Sequence, residues 1–63
     1  MTQKELLYYE DAVGHEGNII TILKDSIERV ESEELKTFLE SEVEVHQKLK
    51  TNLIQKLEEK ANE

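Results

Sequence analysis

Three ionisable residues stand at positions where a helical core would otherwise place Leu or Ile: Glu16, Glu42 and His46. Glu42 and His46 are four residues apart, so on a helix their side chains lie on one face, one turn from each other. A chain that folds back near Ser32 brings Glu16 to within half a turn of His46. The spacing therefore predicts a polar cluster, and its carboxylate and imidazole groups are of the types that bind Fe, Mn or Zn.

Two interpretations of this cluster are open. An antiparallel dimer with its two-fold axis near mid-bundle would gather four carboxylates and two imidazoles, the ligand number of a ferritin-like dinuclear site. Such sites place Glu and His at i, i+3, whereas Val43 holds that position here and Glu42 lies at i−4. The other interpretation is a buried Glu–His pair that sets the register of a bundle without metal. We expect His15 at the edge of the apolar stripe, with an additional ligand role as its alternative.

Two helices are predicted to position these side chains. Thr2 and Glu5 match a capping box, which predicts a helix over about 3–31. Ser32 is a good N-cap for a second helix over about 33–60, after a turn at about 31–33. On the first helix the repeat comprises Leu6, Tyr9, Val13, Glu16, Ile20, Leu23, Ile27 and Val30. On the second it comprises Leu35, Leu39, Glu42, His46, Leu49 and Leu53, flanked by Phe38, Val43, Val45 and Leu57. These periods of three and four residues are typical of bundle helices.

Gly14 and Gly17 offer an alternative breakpoint in the first helix. Each Gly inside a helix costs about 1 kcal/mol relative to Ala. A three-helix chain would end its first helix near Val13 and restart at Asn18. The apolar repeat passes through 13–20 without a change of phase, which favours one continuous helix.

The size of the chain predicts that it does not fold alone. It has 63 residues, 37% of them apolar, and no Cys. A chain this short buries only about 60% of its unfolded surface. We therefore expect an all-α antiparallel two-helix hairpin, a single domain over 1–63, that homodimerises into a four-helix bundle. The predicted interface comprises Leu6, Tyr9, Val13, Ile20, Leu23, Ile27, Val30, Leu35, Leu39, Leu49 and Leu53.

Charge and hydropathy narrow the classes of partner. Fifteen acidic and eight basic residues give a net charge of −7, so the basic surface that nucleic acid requires is missing. An anionic membrane surface is disfavoured for the same reason, and no apolar run is long enough to span a bilayer. The first residues lack the apolar core of a signal peptide. We expect a cytoplasmic protein with no nucleic-acid or membrane partner.

Two segments resemble a known family. The first runs from Thr2 to Ala12 (TQKELLYYEDA) and continues with His15-Glu16, and the second runs from Glu34 to Gln47. Over about residues 2–57 the sequence resembles the short spore-coat-like proteins of endospore-forming Firmicutes, related to the spore coat F family. The resemblance implies a ferritin-like helical hairpin, a role in sporulation or the spore coat, and other coat or sporulation proteins as partners. Many relatives have Asp-Pro at the turn, where this chain has Ser32-Glu33.

The sequence therefore predicts a non-enzymatic structural or interaction protein with no catalytic residues and no cofactor. The chain has no Cys nucleophile, no nucleophile elbow and no phosphate-binding Gly loop. The alternative is a dinuclear Fe, Mn or Zn protein, with oxidase or metal-storage activity, that uses Glu16, Glu42 and His46.

Overall fold

The computed structural model describes residues 1–61, which form two antiparallel helices and a short connection. Helix α1 runs over Gln3–Arg29 and helix α2 over Glu33–Ala61. The hairpin measures 47 × 15 × 10 Å. The prediction of an all-α, antiparallel two-helix hairpin is confirmed.

The start of α1 is fixed by the expected capping box. The Thr2 side chain accepts a hydrogen bond from the Glu5 N–H at 3.1 Å, and the Glu5 carboxylate accepts one from the Thr2 N–H at 2.8 Å. The hydrogen bond from the Thr2 backbone is the main reason why the pKa of Glu5 lies below its usual value. Two N–H groups that a helix terminus leaves unpaired are satisfied in this way.

The connection between the helices occupies residues 30–32. Val30 adopts an extended conformation (φ −76°, ψ 145°) that ends α1, and its N–H donates to the Ser26 carbonyl. At the other side of the turn, the Leu35 N–H donates to the Ser32 hydroxyl at 3.2 Å, so Ser32 caps α2 as expected. Helix α1 ends two residues before the predicted boundary because Val30 has already left the helical conformation.

Both glycines lie within α1, which is continuous through them. A Cβ atom at Gly14 would meet nothing within 4 Å, whereas one at Gly17 would lie 3.6 Å from the Lys50 ammonium. Gly14 therefore has open space around it, and Gly17 faces α2.

The two helices meet along a seam of half-buried side chains. The seam comprises Leu6, Tyr9, Val13, Glu16, Ile20, Leu23 and Ile27 of α1 with Leu39, Val43, His46, Lys50, Leu53 and Leu57 of α2. Among the described residues only Ile20 is buried, at 8% exposed, and the other seam residues are half-buried. The repeat predicted for α2 is rotated relative to this seam, because Leu35 and Leu49 are exposed and Val43, Lys50 and Leu57 take their places.

Candidate functional site

The polar cluster predicted from the sequence forms in part at the middle of the hairpin. His46 Nδ1 lies 2.5 Å from Glu16 Oε2. An ionised carboxylate only accepts hydrogen bonds, so with Glu16 in that form the imidazole donates through its Nδ1–H. The two side chains are 24% and 13% exposed, so this contact joins α1 to α2 in the half-buried seam.

Glu42 lies on the other side of the same imidazole ring. Its Oε2 is 3.8 Å from His46 Nε2, beyond hydrogen-bond distance. The Glu42 side chain is 37% exposed, and it lies at the edge of the seam. The imidazole ring of His46 therefore has a carboxylate near each nitrogen. Glu16 of α1 contacts Nδ1 across the seam, and Glu42, one turn away on α2, lies near Nε2 without a hydrogen bond.

This arrangement has two chemical uses. A metal-bound His commonly donates its second ring N–H to a carboxylate, and Glu16 holds His46 in that manner with Nε2 towards Glu42. Without a metal, the same contact joins one position of α1 to one position of α2, as the register interpretation requires. Among residues 1–61, no group of three or more His, Cys, Asp or Glu side chains is placed to hold a metal ion. His15 is exposed, and the metal site with its ligands stays a prediction.

A second feature is an apolar surface that the hairpin does not cover. We call it the outer face. Its α1 residues are Tyr8, Ala12, His15, Ile19 and Ile22, and its α2 residues are Leu35, Phe38, Glu42, Val45 and Leu49. Four of these side chains are more than half exposed: Tyr8 62%, Ile22 64%, Phe38 57% and Val45 56%. Large apolar side chains concentrated in this way mark interaction surfaces.

The two stripes of the outer face lie on the same side of the hairpin. We call the outer-face residues of each helix its stripe. Consecutive residues of a helix are rotated by about 100° around the helix axis, so the α1 stripe lies roughly 100° around α1 from the seam residues of that helix. The α2 stripe lies roughly 80° around α2 from its own seam residues, in the same sense when each helix is viewed along its chain direction. Because the helices are antiparallel, equal senses of rotation bring both stripes to one side.

The opposite side of the hairpin has a different character. A shallow groove between the helices is lined there by Gly17, Thr21, Lys24, Gln47 and Thr51, with Ile20, Lys50 and Ile54 at its floor and rim. Apolar and polar surfaces are therefore segregated across the hairpin. Segregation of this kind is expected where one side of an amphipathic pair packs against a partner and the other faces water.

The residues predicted to form a dimer interface fall into two groups. Nine of the eleven are buried or half-buried in the single hairpin: Leu6, Tyr9, Val13, Ile20, Leu23, Ile27, Val30, Leu39 and Leu53. Leu35 and Leu49 are exposed and belong to the outer face. A core residue of a four-helix bundle contacts both the other helix of its own hairpin and a helix of the second copy. Burial in the single hairpin shows only the first of these contacts, so the interface prediction stays a prediction for all eleven.

Sequence reasoning missed the α1 half of the outer face. Ile22, the most exposed large apolar residue, does not belong to the repeat that passes through Ile20 and Leu23. The signal that could have found it is a second repeat with the same period, in which Tyr8, Ala12, His15, Ile19 and Ile22 are separated by four, three, four and three residues.

Comparison of the chain with protein-family models, curated proteins and solved structures found no match. In the part of the chain that the structure describes, neither helix combines the length and the apolarity needed to cross a membrane. The proposed function therefore depends on the geometry of the seam and the outer face.

Proposed function

We propose that this chain is a non-enzymatic structural or interaction module in which two hairpins pair through their outer faces to form a homodimeric four-helix bundle. The observation that carries the proposal is the contrast between a single buried residue, Ile20, among those that the structure describes, and an outer face with four large apolar side chains more than half exposed. A single hairpin leaves too much apolar surface in water for stability. A second copy is the simplest partner that covers both stripes at once.

The stability of such a module depends on protein concentration, because folding is coupled to dimer formation. If the paired hairpins are the stable state, unfolding depends on subunit concentration, and the helices gain stability whenever a partner covers the outer face. The Glu16–His46 contact would act as a register device, because sliding one helix by a turn along the other separates the two side chains. A role within a spore coat or in sporulation is the setting that the family resemblance implies for such a module.

The test is the mass of the protein in solution over a dilution series, measured by sedimentation equilibrium and native mass spectrometry. We expect a species of twice the 7.4 kDa chain mass, with a helical circular dichroism signal that weakens on dilution as the dimer dissociates. A helical 7.4 kDa monomer that keeps its melting temperature across the dilution series would overturn the proposal.

The alternative function is a ferritin-like dinuclear metal protein with Fe, Mn or Zn. The observation in its favour is the placement of Glu16, Glu42 and His46 at mid-length, with Glu42 partly on the outer face, where a second copy would bring another set. Native mass spectrometry of protein from metal-supplemented cells tests it: one or two metal ions per dimer, lost in the Glu16→Leu variant, would support the metal site. A metal-free dimer whose melting temperature does not respond to added Mn²⁺ or Zn²⁺ would contradict it.

A further inference from the structure

Charge is distributed unevenly along the hairpin. The Glu16–His46 contact divides the described chain into two halves of nearly equal length. The turn half, residues 16–46, contains nine acidic and three basic residues and has a formal charge of −6. The terminal half, residues 1–15 and 47–61, contains five residues of each sign and has a formal charge of zero. The described hairpin therefore has one strongly acidic end and one neutral end.

A second copy can cover the outer face in two orientations. With a two-fold axis along the bundle, both turns lie at the same end, and α1 packs on the partner's α2. With a two-fold axis across the bundle, the turns lie at opposite ends, and each helix packs on its own counterpart. Both orientations bury the apolar stripes and make all neighbouring helices antiparallel, so apolar burial and helix dipoles do not choose between them.

Electrostatic repulsion separates the two orientations. When both turns lie at the same end, the turn half of one chain, with charge −6, packs beside the turn half of the other, also with charge −6. The axes of the packed helices are then about 8–10 Å apart. That distance is comparable to the Debye length of about 10 Å at 0.1 M ionic strength, so the repulsion is only partly screened. Turns at opposite ends place each acidic half against a neutral half.

We infer that the second copy docks with its turn beside the terminal half of its partner, so that the two turns lie at opposite ends of the bundle. This inference depends on the proposed dimer and adds its orientation. The apolar stripe of α2 runs from Leu35 to Leu49 and is centred on Glu42, close to mid-length. Full overlap of this stripe with its counterpart puts the two-fold axis near Glu42.

A distance between spin labels tests the orientation, because the chain has no Cys and one substitution gives one label per chain. Glu31→Cys labels the turn. With the axis near Glu42, two labels at position 31 are separated by about 22 residues of helix rise, or about 33 Å. If both turns lie at the same end, the backbone positions are within roughly 15 Å. We expect the long distance alone.

Glu44→Cys is the matched control. Position 44 is exposed and lies close to the expected axis, so its two labels are near each other in either orientation. A short distance at both positions overturns the inferred orientation and leaves the dimer intact. No dipolar coupling at either position means that no dimer forms, so the failure then belongs to the proposed function itself.

The electrostatic cause is tested by removing charge from the turn of the labelled chain. Glu28→Gln, Glu33→Gln and Glu34→Gln together change the charge of the labelled turn half from −5 to −2. We expect a second population at short distance, whereas Glu10→Gln, Asp11→Gln and Glu58→Gln in the terminal half should keep the single long distance. An unchanged single long distance in the turn variant would overturn charge as the determinant of orientation.

Discussion

Replacement of Phe38 by Ala is the most direct test of the outer face. Phe38 is 57% exposed in the single hairpin and lies outside the seam. Complete burial of a Phe side chain contributes about 1.5–3 kcal/mol. About half of that remains to be gained when a partner covers the residue, which is about 1–1.5 kcal/mol per chain. A two-fold dimer contains the residue twice, so we expect the variant to lose about 2–3 kcal/mol of association free energy.

Leu7→Ala is the matched control for this substitution. Leu7 is also apolar, 53% exposed and helical, but it lies on the side of α1 away from both the seam and the outer face. Ala is the best helix former, so neither substitution weakens its own helix. The two variants therefore differ in whether the lost side chain belongs to the outer face.

The assay is the dimer dissociation constant from sedimentation equilibrium, with circular dichroism at the same concentrations. At about 1.4 kcal/mol per factor of ten, Phe38→Ala should raise the dissociation constant by about 30–150-fold, and Leu7→Ala should leave it within a few-fold. Equal changes in the two variants, or no change in either, would refute the assignment of the outer face as the dimer interface.

Three further predictions concern the Glu16–His46 contact, Gly14 and the N-terminus of α1. In each, the unfolding free energy is measured at a fixed protein concentration. Glu16→Leu or His46→Leu alone leaves a half-buried polar partner without its hydrogen bond and should cost about 1–3 kcal/mol of unfolding free energy. The double variant should recover most of this loss, and additive losses in a double-mutant cycle would contradict the contact. Gly14→Ala should raise the unfolding free energy, measured by urea titration, by about 0.5–1 kcal/mol, because the added Cβ meets nothing within 4 Å. A lower unfolding free energy would argue against a continuous α1. The folded-state pKa of Glu5 is depressed from 4.5, so its stabilising contribution is complete above that pH and is lost as pH falls through the lower folded value. The stability advantage of wild type over Glu5→Gln should therefore shrink as pH falls below 4.5, and an advantage unchanged from neutral pH would contradict the depressed pKa of Glu5.

The helices and their ends were predictable because their signals are local. The capping box depends on Thr2 and Glu5, three residues apart, and the second cap on Ser32 and the N–H of Leu35. Continuity through Gly14 was predictable from the unbroken apolar phase on either side. The Glu16–His46 contact was also foreseen, because the position of the turn fixes which residues of two antiparallel helices lie opposite each other.

The rotation of α2 about its own axis was not predictable with the same accuracy. Apolar residues occur on about half of its circumference. A frame through Leu35, Leu39 and Leu49 and a frame through Leu39, Val43 and Leu57 therefore both fit the sequence. The structure takes the second, in which the long stem of Lys50 lies in the seam and its ammonium lies near Gly17. Leu35 and Leu49 are left to the outer face.

The spacing of the seam also determines its shape. Side chains that recur at alternating intervals of three and four residues have a mean period of 3.5, shorter than the 3.6 residues per turn of a straight helix. The mismatch amounts to about 20° per heptad and gives helices a left-handed supercoil. Over the four heptads of each helix the outer face would wind by about 80°, nearly a quarter turn from one end to the other. A flat partner could touch such a strip over only part of its length, whereas another left-handed coil can follow it throughout.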